Sequence, residues 1–271
     1  ANQKFFVLNA NHRPKYVAGV PPDYFSATGQ RWGNPVYDWK KLKEDGFRWW
    51  MQRLKRQFEL FDIVRIDHFR GFESFWQIPA REKTAIKGTW GEGPKADFLS
   101  ALSQQFKGLP LIAEDLGIIT DGVKELMRAF EIPGMKVLQF AFSGEMSTHP
   151  YIPENYTENC VVYTGTHDNN TTRGWFEHDA SQEDHDHLRR YLGKDVVVDD
   201  VAWDLIQVAF RSRASLALVP VQDVFNLGRE ARMNIPGSAS GNWGWRFEEK
   251  DFTEEMISDL RDLTEQTQRA A

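Results

Sequence analysis

From about residue 45 onward, short apolar runs of strand length alternate with amphipathic stretches of helical length. The apolar runs fall at 63–66, 111–113, 136–140, 161–163 and 216–219. The amphipathic stretches carry apolar residues three and four positions apart, as on one face of a helix, and fall at 47–60, 95–106, 122–130, 182–192 and 204–212. Successive βα units place their strands parallel in one sheet. The sequence therefore predicts an α/β fold, and the lack of a linker or composition break favours a single domain over 1–271.

Charge and cysteine content limit which ligands and which cellular location are expected. The 271 residues include 33 Lys and Arg against 39 Asp and Glu, a net charge of −6 without a long run of like charge, so nucleic acid is not expected as a ligand. The apolar runs are too short to cross a membrane. The single cysteine, Cys160, cannot form a disulfide within the chain, which favours a cytoplasmic location.

Two segments depart from the βα pattern. Residues 18–37 and 234–247 both combine Pro, Gly and aromatic side chains, which favours irregular loops that expose rings over regular elements. Long ordered loops of this kind are often binding loops. The alternative is that buried rings merely hold each loop to the surface.

Three carboxylates follow three of the predicted strands. Asp67, Glu114 and Asp168 each come after a buried run, and the carboxyl ends of parallel strands share one rim, where functional residues gather. The alternative for any one acid is a helix N-cap. That alternative is weaker for Glu114, since Glu is a poor N-cap, and for Asp67, since the residues after it do not resemble a first helical turn.

Paired carboxylates beside aromatic loops suit the chemistry of the glycosidic bond. One neutral acid protonates the leaving oxygen, one carboxylate attacks the anomeric carbon, and negative charge stabilises the cation-like transition state. Aromatic faces pack against the apolar faces of sugar rings. Arg65, on the same strand face as Asp67, is expected to lower the pKa of that carboxyl.

Three ordered motifs carry a resemblance to a known family. Arg-Ile-Asp-His-Phe-Arg-Gly at 65–71, Ala-Glu-Asp-Leu-Gly at 113–117 and Gly-Thr-His-Asp-Asn-Asn-Thr at 165–171 resemble the catalytic segments of the 4-α-glucanotransferases, also called amylomaltases. Residues 19–35 resemble that family's donor-side loop, and residues 234–247 resemble its second lid loop.

The resemblance implies a role for each matching residue. Asp67 matches the nucleophile, Glu114 the general acid and base, and Asp168 the carboxylate that stabilises the transition state. The implied substrate contacts are Arg65, His167, Asp23, Tyr24, Phe25, Gln30, Trp32, Asn242 and Trp243. The family acts on α-1,4-glucans and uses no metal and no organic cofactor.

The resemblance also implies a TIM-type (β/α) barrel of eight strands. The five βα units found here match strands four to eight, so the chain is interpreted as the C-terminal part of a catalytic domain. The N-terminal half of the same enzyme is then an expected partner. The retaining mechanism implies a separation of roughly 5 to 5.5 Å between the carboxyl groups of Asp67 and Glu114. We also expect burial and the charges of Asp67 and Asp168 to raise the pKa of Glu114.

Two alternatives remain open. A metal-dependent hydrolase would use Asp67 with His68, Glu114, and His167 with Asp168 as ligands of a divalent ion. A glucan-binding protein would keep the cleft but lack turnover because the barrel is incomplete. Metal analysis and a maltotriose assay separate these alternatives from the transferase.

Overall fold

The computed structural model describes residues 2–23 and 26–269 of the chain. Its contacts divide it into two compact units, Ala1–Gly134 and Met135–Ala271, where the composition of the sequence shows no boundary. The single catalytic domain over 1–271 stays a prediction, because one catalytic domain can contain two compact units.

The first unit contains both parallel and antiparallel strands. Its strands are β1 (Tyr16–Val20), β2 (Gln30–Pro35), β3 (Val64–Ile66), β4 (Ser74–Pro79), β5 (Thr89–Glu92) and β6 (Leu111–Ala113). Its helices are α1 (Trp39–Glu44), α2 (Arg48–Phe58), α3 (Lys95–Gln105) and α4 (Asp121–Ala129), with short 3₁₀ turns at Gln3–Phe5 and Phe69–Phe72.

Strands β3 and β6 pair in parallel, as the βα pattern predicts. Val64 pairs with Leu111 and Ile66 pairs with Ala113, so the two strands end at the same level. The side chains of Leu111 and Ala113 are buried against α2, α3 and α4 in one hydrophobic core. Because the strands end together, the residues that follow them leave the sheet side by side.

The segment 18–37 is not irregular throughout, contrary to the sequence-based expectation. It contains β2 and most of β1, which belong to a four-stranded antiparallel sheet of order β2-β1-β4-β5. Strand β2 lies at the edge, where its terminal Pro35 is tolerated because an edge strand need not donate on both sides. Gly19 faces β2 so closely that a Cβ there would lie 2.1 Å from the carbonyl oxygen of Gln30.

Two aromatic rings anchor the turn that follows β3. Phe69 and Phe72 belong to the 3₁₀ turn Phe69–Phe72 and are almost fully buried. Their rings lie 5.4 Å apart, and Phe72 also packs against Phe98 of α3 with 4.9 Å between centroids. Burial of a Phe side chain stabilises a fold by about 1.5 to 3 kcal/mol, so these rings fix the backbone immediately after Asp67.

The second unit is built on a three-stranded sheet of order β7-β8-β9. Its strands are β7 (Gly134–Val137), β8 (Cys160–Tyr163) and β9 (Leu216–Leu218). Its helices are α5 (Thr172–Gly174), α6 (Gln182–Leu192), α7 (Val201–Arg211), α8 (Val221–Val224) and α9 (Glu254–Gln266). A π-helical turn, Trp175–Asp179, continues α5, and 3₁₀ turns lie at Leu138–Phe140, Met146–Thr148, Pro153–Asn155, Arg229–Ala231 and Glu249–Asp251.

The strand predicted at 136–140 is only half correct. Strand β7 ends at Val137, and Leu138–Phe140 turns into a 3₁₀ helix. The turn places the buried side chain of Gln139 where its amide donates to the carbonyl of Asn170 at 2.9 Å. Helix α7 begins three residues before the predicted start, and α9 was not predicted. No helix within residues 2–23 and 26–269 is long and apolar enough to cross a membrane.

Candidate active site

Asp67 is the first residue after β3, as predicted. Its side chain is 84% exposed. The guanidinium of Arg65 approaches it with 3.9 Å between Nη2 and Oδ1, which is the outer limit of an ion pair. The carboxylate is therefore open to a ligand.

Glu114 is the first residue after β6 and is held at both oxygens. The backbone N–H of His68 donates to Oε2 at 2.6 Å, and the backbone N–H of Leu116 donates to Oε1 at 3.0 Å. The backbone of Glu114 is fixed as well, because its N–H donates to Ile66 at 2.9 Å and its carbonyl accepts from Phe69 at 3.1 Å. The turn that carries Asp67 thus also determines the orientation of the Glu114 carboxyl.

Burial raises the pKa of Glu114 above its ordinary value, as expected for a group that must hold a proton. The two backbone N–H donors act in the opposite direction, since they favour the charged carboxylate. The negative charges of Asp67 and Asp115 add to the increase. The effect of Asp115 on this pKa was not predicted from the sequence. The predicted effect of Asp168 on it stays a prediction, as does the separation of roughly 5 to 5.5 Å between the carboxyl groups of Asp67 and Glu114.

His68 contacts both Glu114 and Trp32. Its backbone is left-handed, with φ of 50°, a conformation that non-glycine residues adopt rarely and that points its N–H toward Glu114. The ring of Trp32 meets the imidazole edge-on at 4.8 Å between centroids. Burial lowers the pKa of His68; the charge of Asp67 opposes this shift and that of Arg70 reinforces it.

An aromatic pocket of about 460 Å³ adjoins Asp67 in the first unit. Its wall includes Trp32, Tyr37, Trp50, Phe72 and His68. The apolar faces of these rings suit the apolar faces of a sugar ring, and the carboxylate beside them suits its electrophilic anomeric carbon.

Three of the predicted substrate contacts, Asp23, Gln30 and Trp32, lie in the described part of the loop 19–35. The carboxylate of Asp23 accepts from the backbone of Ser26 at 2.8 Å and so shapes the loop. The amide oxygen of Gln30 accepts from the indole of Trp32 at 3.2 Å, and the Trp32 side chain is 44% exposed. Tyr24 and Phe25 lie outside the described residues, and their roles stay predictions.

In the second unit, Asp168 lies in the loop 164–171 that follows β8. The side-chain amide of Asn234 donates to its Oδ1 at 2.6 Å, and His167 lies with Nε2 at 3.4 Å from its Oδ2. The guanidinium of Arg232 donates to the backbone carbonyl of Asp168 at 2.6 Å. Both the carboxylate and the backbone of Asp168 are therefore positioned from the segment that starts the second lid loop.

The two predicted lid residues have different surroundings. Asn242 accepts from the backbone of Ile235 at 3.0 Å and donates to the carbonyl of Ser238 at 3.0 Å, so its side chain holds the loop together. Trp243 is 54% exposed, and its ring lies 5.3 Å from that of His167. Trp243 is the better placed of the two to contact a ligand.

None of the three carboxylates forms a helix N-cap. The residue before the 3₁₀ turn Phe69–Phe72 is His68, which makes no side-chain cap. Helix α5 is capped by Thr171, whose hydroxyl accepts from Gly174 at 3.0 Å. Helix α4, the first helix after β6, is capped by Thr120. The helix-cap alternative is therefore wrong for Asp67, Glu114 and Asp168.

Sequence reasoning missed the residues that hold Asp168 and its loop. Asp223, which is almost fully buried, accepts from the hydroxyl of Thr164 at 2.5 Å and from the backbone of Thr172 at 2.7 Å, at the two ends of the loop that carries Asp168. Asn234 and Arg232 were missed too, although Asn234 begins the recognised lid segment and Arg232 lies two residues before it. Among residues 2–23 and 26–269, no three His, Cys, Asp or Glu side chains are grouped closely enough to hold a metal ion.

Comparison with known proteins is consistent with this geometry. Residues 1–252 match the model of glycoside hydrolase family 77, described as 4-alpha-glucanotransferase. The chain belongs to this family. It is 51% identical to a 4-alpha-glucanotransferase of Synechocystis over 92% of this chain and 49% of the relative. It is 47% identical to a 4-alpha-glucanotransferase of Thermus thermophilus, over 99% of this chain and 55% of that protein.

A solved structure has the same fold. This family member superimposes on the amylomaltase from Streptococcus agalactiae in complex with acarbose with a TM-score of 0.95 and 33% identity. The match covers 100% of this chain and 54% of that structure. The chain thus spans about half the length of the 4-alpha-glucanotransferases that it matches.

Proposed function

We propose that the chain carries the reacting carboxylates of a 4-α-glucanotransferase, an enzyme that moves α-1,4-glucan segments between maltooligosaccharides with retention of configuration. Family membership supports the substrate class. One observation about Glu114 supports the proposal most strongly. Burial raises its pKa, while a hydrogen bond from His68 fixes its carboxyl beside the turn that bears Asp67.

Each carboxylate then has one task. Asp67 attacks the anomeric carbon of the donor, and the glycosidic bond breaks as Glu114 gives its proton to the leaving oxygen. In the second step Glu114 takes a proton from the 4-hydroxyl of an acceptor sugar, whose oxygen displaces Asp67 from the anomeric carbon. Asp168 stabilises the positive charge of both transition states. Because Oε1 and Oε2 each accept one backbone N–H, the proton of Glu114 occupies a remaining lone pair.

We further propose that β3, β6, β7, β8 and β9 correspond to strands four to eight of a (β/α)₈ barrel that an N-terminal half completes. Among the described residues β3 pairs with β6 alone, so its other edge is available to a further strand. The coverage of only about half of each relative supports this assignment. The assembled enzyme, meaning this chain together with that N-terminal half, is the species expected to turn over. A cytoplasmic location is part of the proposal, since a chain with a single cysteine, Cys160, cannot form a disulfide within itself.

The second candidate is a chain that binds glucan without turnover. The 84% exposure of the Asp67 side chain favours it for the isolated chain, because a nucleophile surrounded by water is neither desolvated nor held against the anomeric carbon. Calorimetry with acarbose, the ligand named for the amylomaltase structure, measures binding without requiring turnover.

The test is to supply maltotriose to the isolated chain, to the assembled enzyme and to an Asp67→Asn variant of the assembled enzyme. Free glucose and longer maltodextrins are measured together over time. Maltodextrins longer than maltotriose from the assembled enzyme, but not from Asp67→Asn, support the transferase. Acarbose binding without products supports the binding protein. Loss of products after chelation, restored by one divalent metal, supports the metal-dependent hydrolase.

A further inference from the structure

We propose that Asn234 is a positioning residue for Asp168, and that through it the second lid loop (234–247) sets the orientation of the stabilising carboxylate. This inference rests on the proposed function for the role of Asp168, while the hydrogen bond itself is an independent feature of the second unit. No role of Asn234 was expected from the motifs.

Both oxygens of the Asp168 carboxylate have a neighbouring side chain. Asn234 Nδ2 lies 2.6 Å from Asp168 Oδ1, a short distance for an N–H donor and typical of a hydrogen bond to an ionised acceptor. A carboxylate accepts hydrogen bonds only, so the amide must present its NH₂ group to Asp168. His167 approaches the other oxygen at 3.4 Å. The rotation of the carboxylate is thereby restricted from two sides.

The main chain of Asp168 is also tied to the lid. Arg232 donates through Nε to the carbonyl of Asn234 at 2.9 Å and through Nη2 to the carbonyl of Asp168 at 2.6 Å. One guanidinium therefore ties the main chain of Asp168 to the main chain of the lid. A rigid connection of this kind keeps the Asn234 amide aligned with its acceptor.

The far end of the lid lies close to the same carboxylate. The backbone N–H of Trp243 donates to the carbonyl of Met233 at 2.7 Å, which brings the end of the loop back beside its start. The Trp243 ring lies 5.3 Å from His167, the neighbour of Asp168 Oδ2. The lid thus contacts Asp168 directly at one oxygen and through His167 at the other.

This arrangement has a consequence for catalysis. The contacts of Asp168 with a sugar strengthen as positive charge develops, so misorientation weakens binding of the transition state more than binding of the substrate. Loss of the Asn234 amide should therefore lower kcat more than it raises KM. The expected loss in kcat is about tenfold to hundredfold, the rate equivalent of one hydrogen bond to a charged group.

The experiment compares Asn234→Ala and Asn234→Asp in the assembled enzyme, with Ser238→Ala as the matched control. Ser238 lies in the same loop, and its hydroxyl donates to the carbonyl of Ser240. Asn234→Asp places a second carboxyl group against Asp168, and such a pair shares one proton at low pH and repels when both groups are ionised.

The expected result is a kcat loss in Asn234→Ala with KM within about threefold of the parent, and no loss in Ser238→Ala. The ratio of kcat in Asn234→Asp to kcat in Asn234→Ala should fall as pH rises from about 5 to about 8. A purely structural role predicts parallel pH profiles for the two variants. Parallel profiles, or parental kcat in Asn234→Ala, would overturn the inference.

A measurement without turnover separates this inference from the proposed function. The side-chain amide protons of Asn234 are followed by NMR in the parent, in Asp168→Ala and in Ser238→Ala. A shift in Asp168→Ala alone establishes the hydrogen bond even if the parent proves inactive, in which case only the proposed function fails. No shift in Asp168→Ala overturns the inference whatever the activity.

Discussion

The carboxylate of Glu114 accepts the backbone N–H of His68, with 2.6 Å between Oε2 and the nitrogen. His68 directly follows Asp67, so the position of the proposed acid and base is set by the backbone that carries the proposed nucleophile. The left-handed φ of His68 is what turns this N–H toward its acceptor. The core packing of Phe69 and Phe72 then holds the turn in place.

Glu114→Gln removes the proton donor while keeping the shape of the side chain. In the assembled enzyme we expect transfer from maltotriose to fall by about 10² to 10⁴, the usual contribution of general acid catalysis. A maltosyl fluoride donor needs no protonation of its leaving group, so its first step should be nearly preserved. The burst of fluoride in the first turnover, which reports the first step alone, and glucose release from maltotriose are measured side by side. Equal loss with both donors would contradict the assignment.

The raised pKa of Glu114 also predicts a pH dependence of stability. Because burial raises the pKa in the folded state, the contribution of Glu114 is full below its unfolded pKa of about 4.3 and is lost as pH rises through the folded pKa. The free energy of unfolding of the parent, relative to Glu114→Gln, should therefore decrease as pH rises above about 4. Urea denaturation of both proteins across pH measures it, with the exposed Glu125→Gln on α4 as control. An increase with pH in the stability of the parent relative to Glu114→Gln would contradict the account.

Part of this site is predictable from the sequence, and part is not. The parallel strands and the acids that follow them are local features, since Asp67 and Glu114 each come directly after a short apolar run. The antiparallel sheet was missed because β1 pairs with β4, more than fifty residues away, and because β2, which contains Gly33 and Pro35, resembles a loop. Partners such as Asn234 depend on tertiary contacts between distant segments, so no local pattern identifies them.

Asp223 is expected to stabilise the loop that carries Asp168. Its removal in Asp223→Ala leaves the hydroxyls of Thr164 and Thr172 and the backbone N–H of Thr172 without their acceptor in a buried place. We expect a loss of about 2 to 4 kcal/mol in the free energy of unfolding. Asp223→Asn should lose less, because it retains one acceptor oxygen and both threonine hydroxyls are able to rotate. Asp195→Ala, at a side chain 93% exposed, is the control and should change little.

Trp243 is expected to favour a sugar acceptor over water. Its exposed ring beside His167 offers a stacking face, and a sugar bound there excludes water from the anomeric carbon. In the assembled enzyme Trp243→Ala should lower the ratio of transfer to hydrolysis on maltotriose, while Ile257→Ala, an exposed apolar residue of α9, should leave it unchanged. Longer maltodextrins and free glucose are quantified together. Proportional loss of both activities would show that Trp243 serves general binding instead.

The most direct test of the central claim is to trap the glycosyl-enzyme on Asp67. The assembled Glu114→Gln enzyme is incubated with a maltosyl fluoride, which glycosylates the nucleophile while the missing base slows its release. Intact mass and peptide mapping then locate the adduct. The account predicts one maltosyl group on the peptide that contains Asp67, and none in the double variant with Asp67→Asn. An adduct on Asp168, or the same adduct in the double variant, would contradict it.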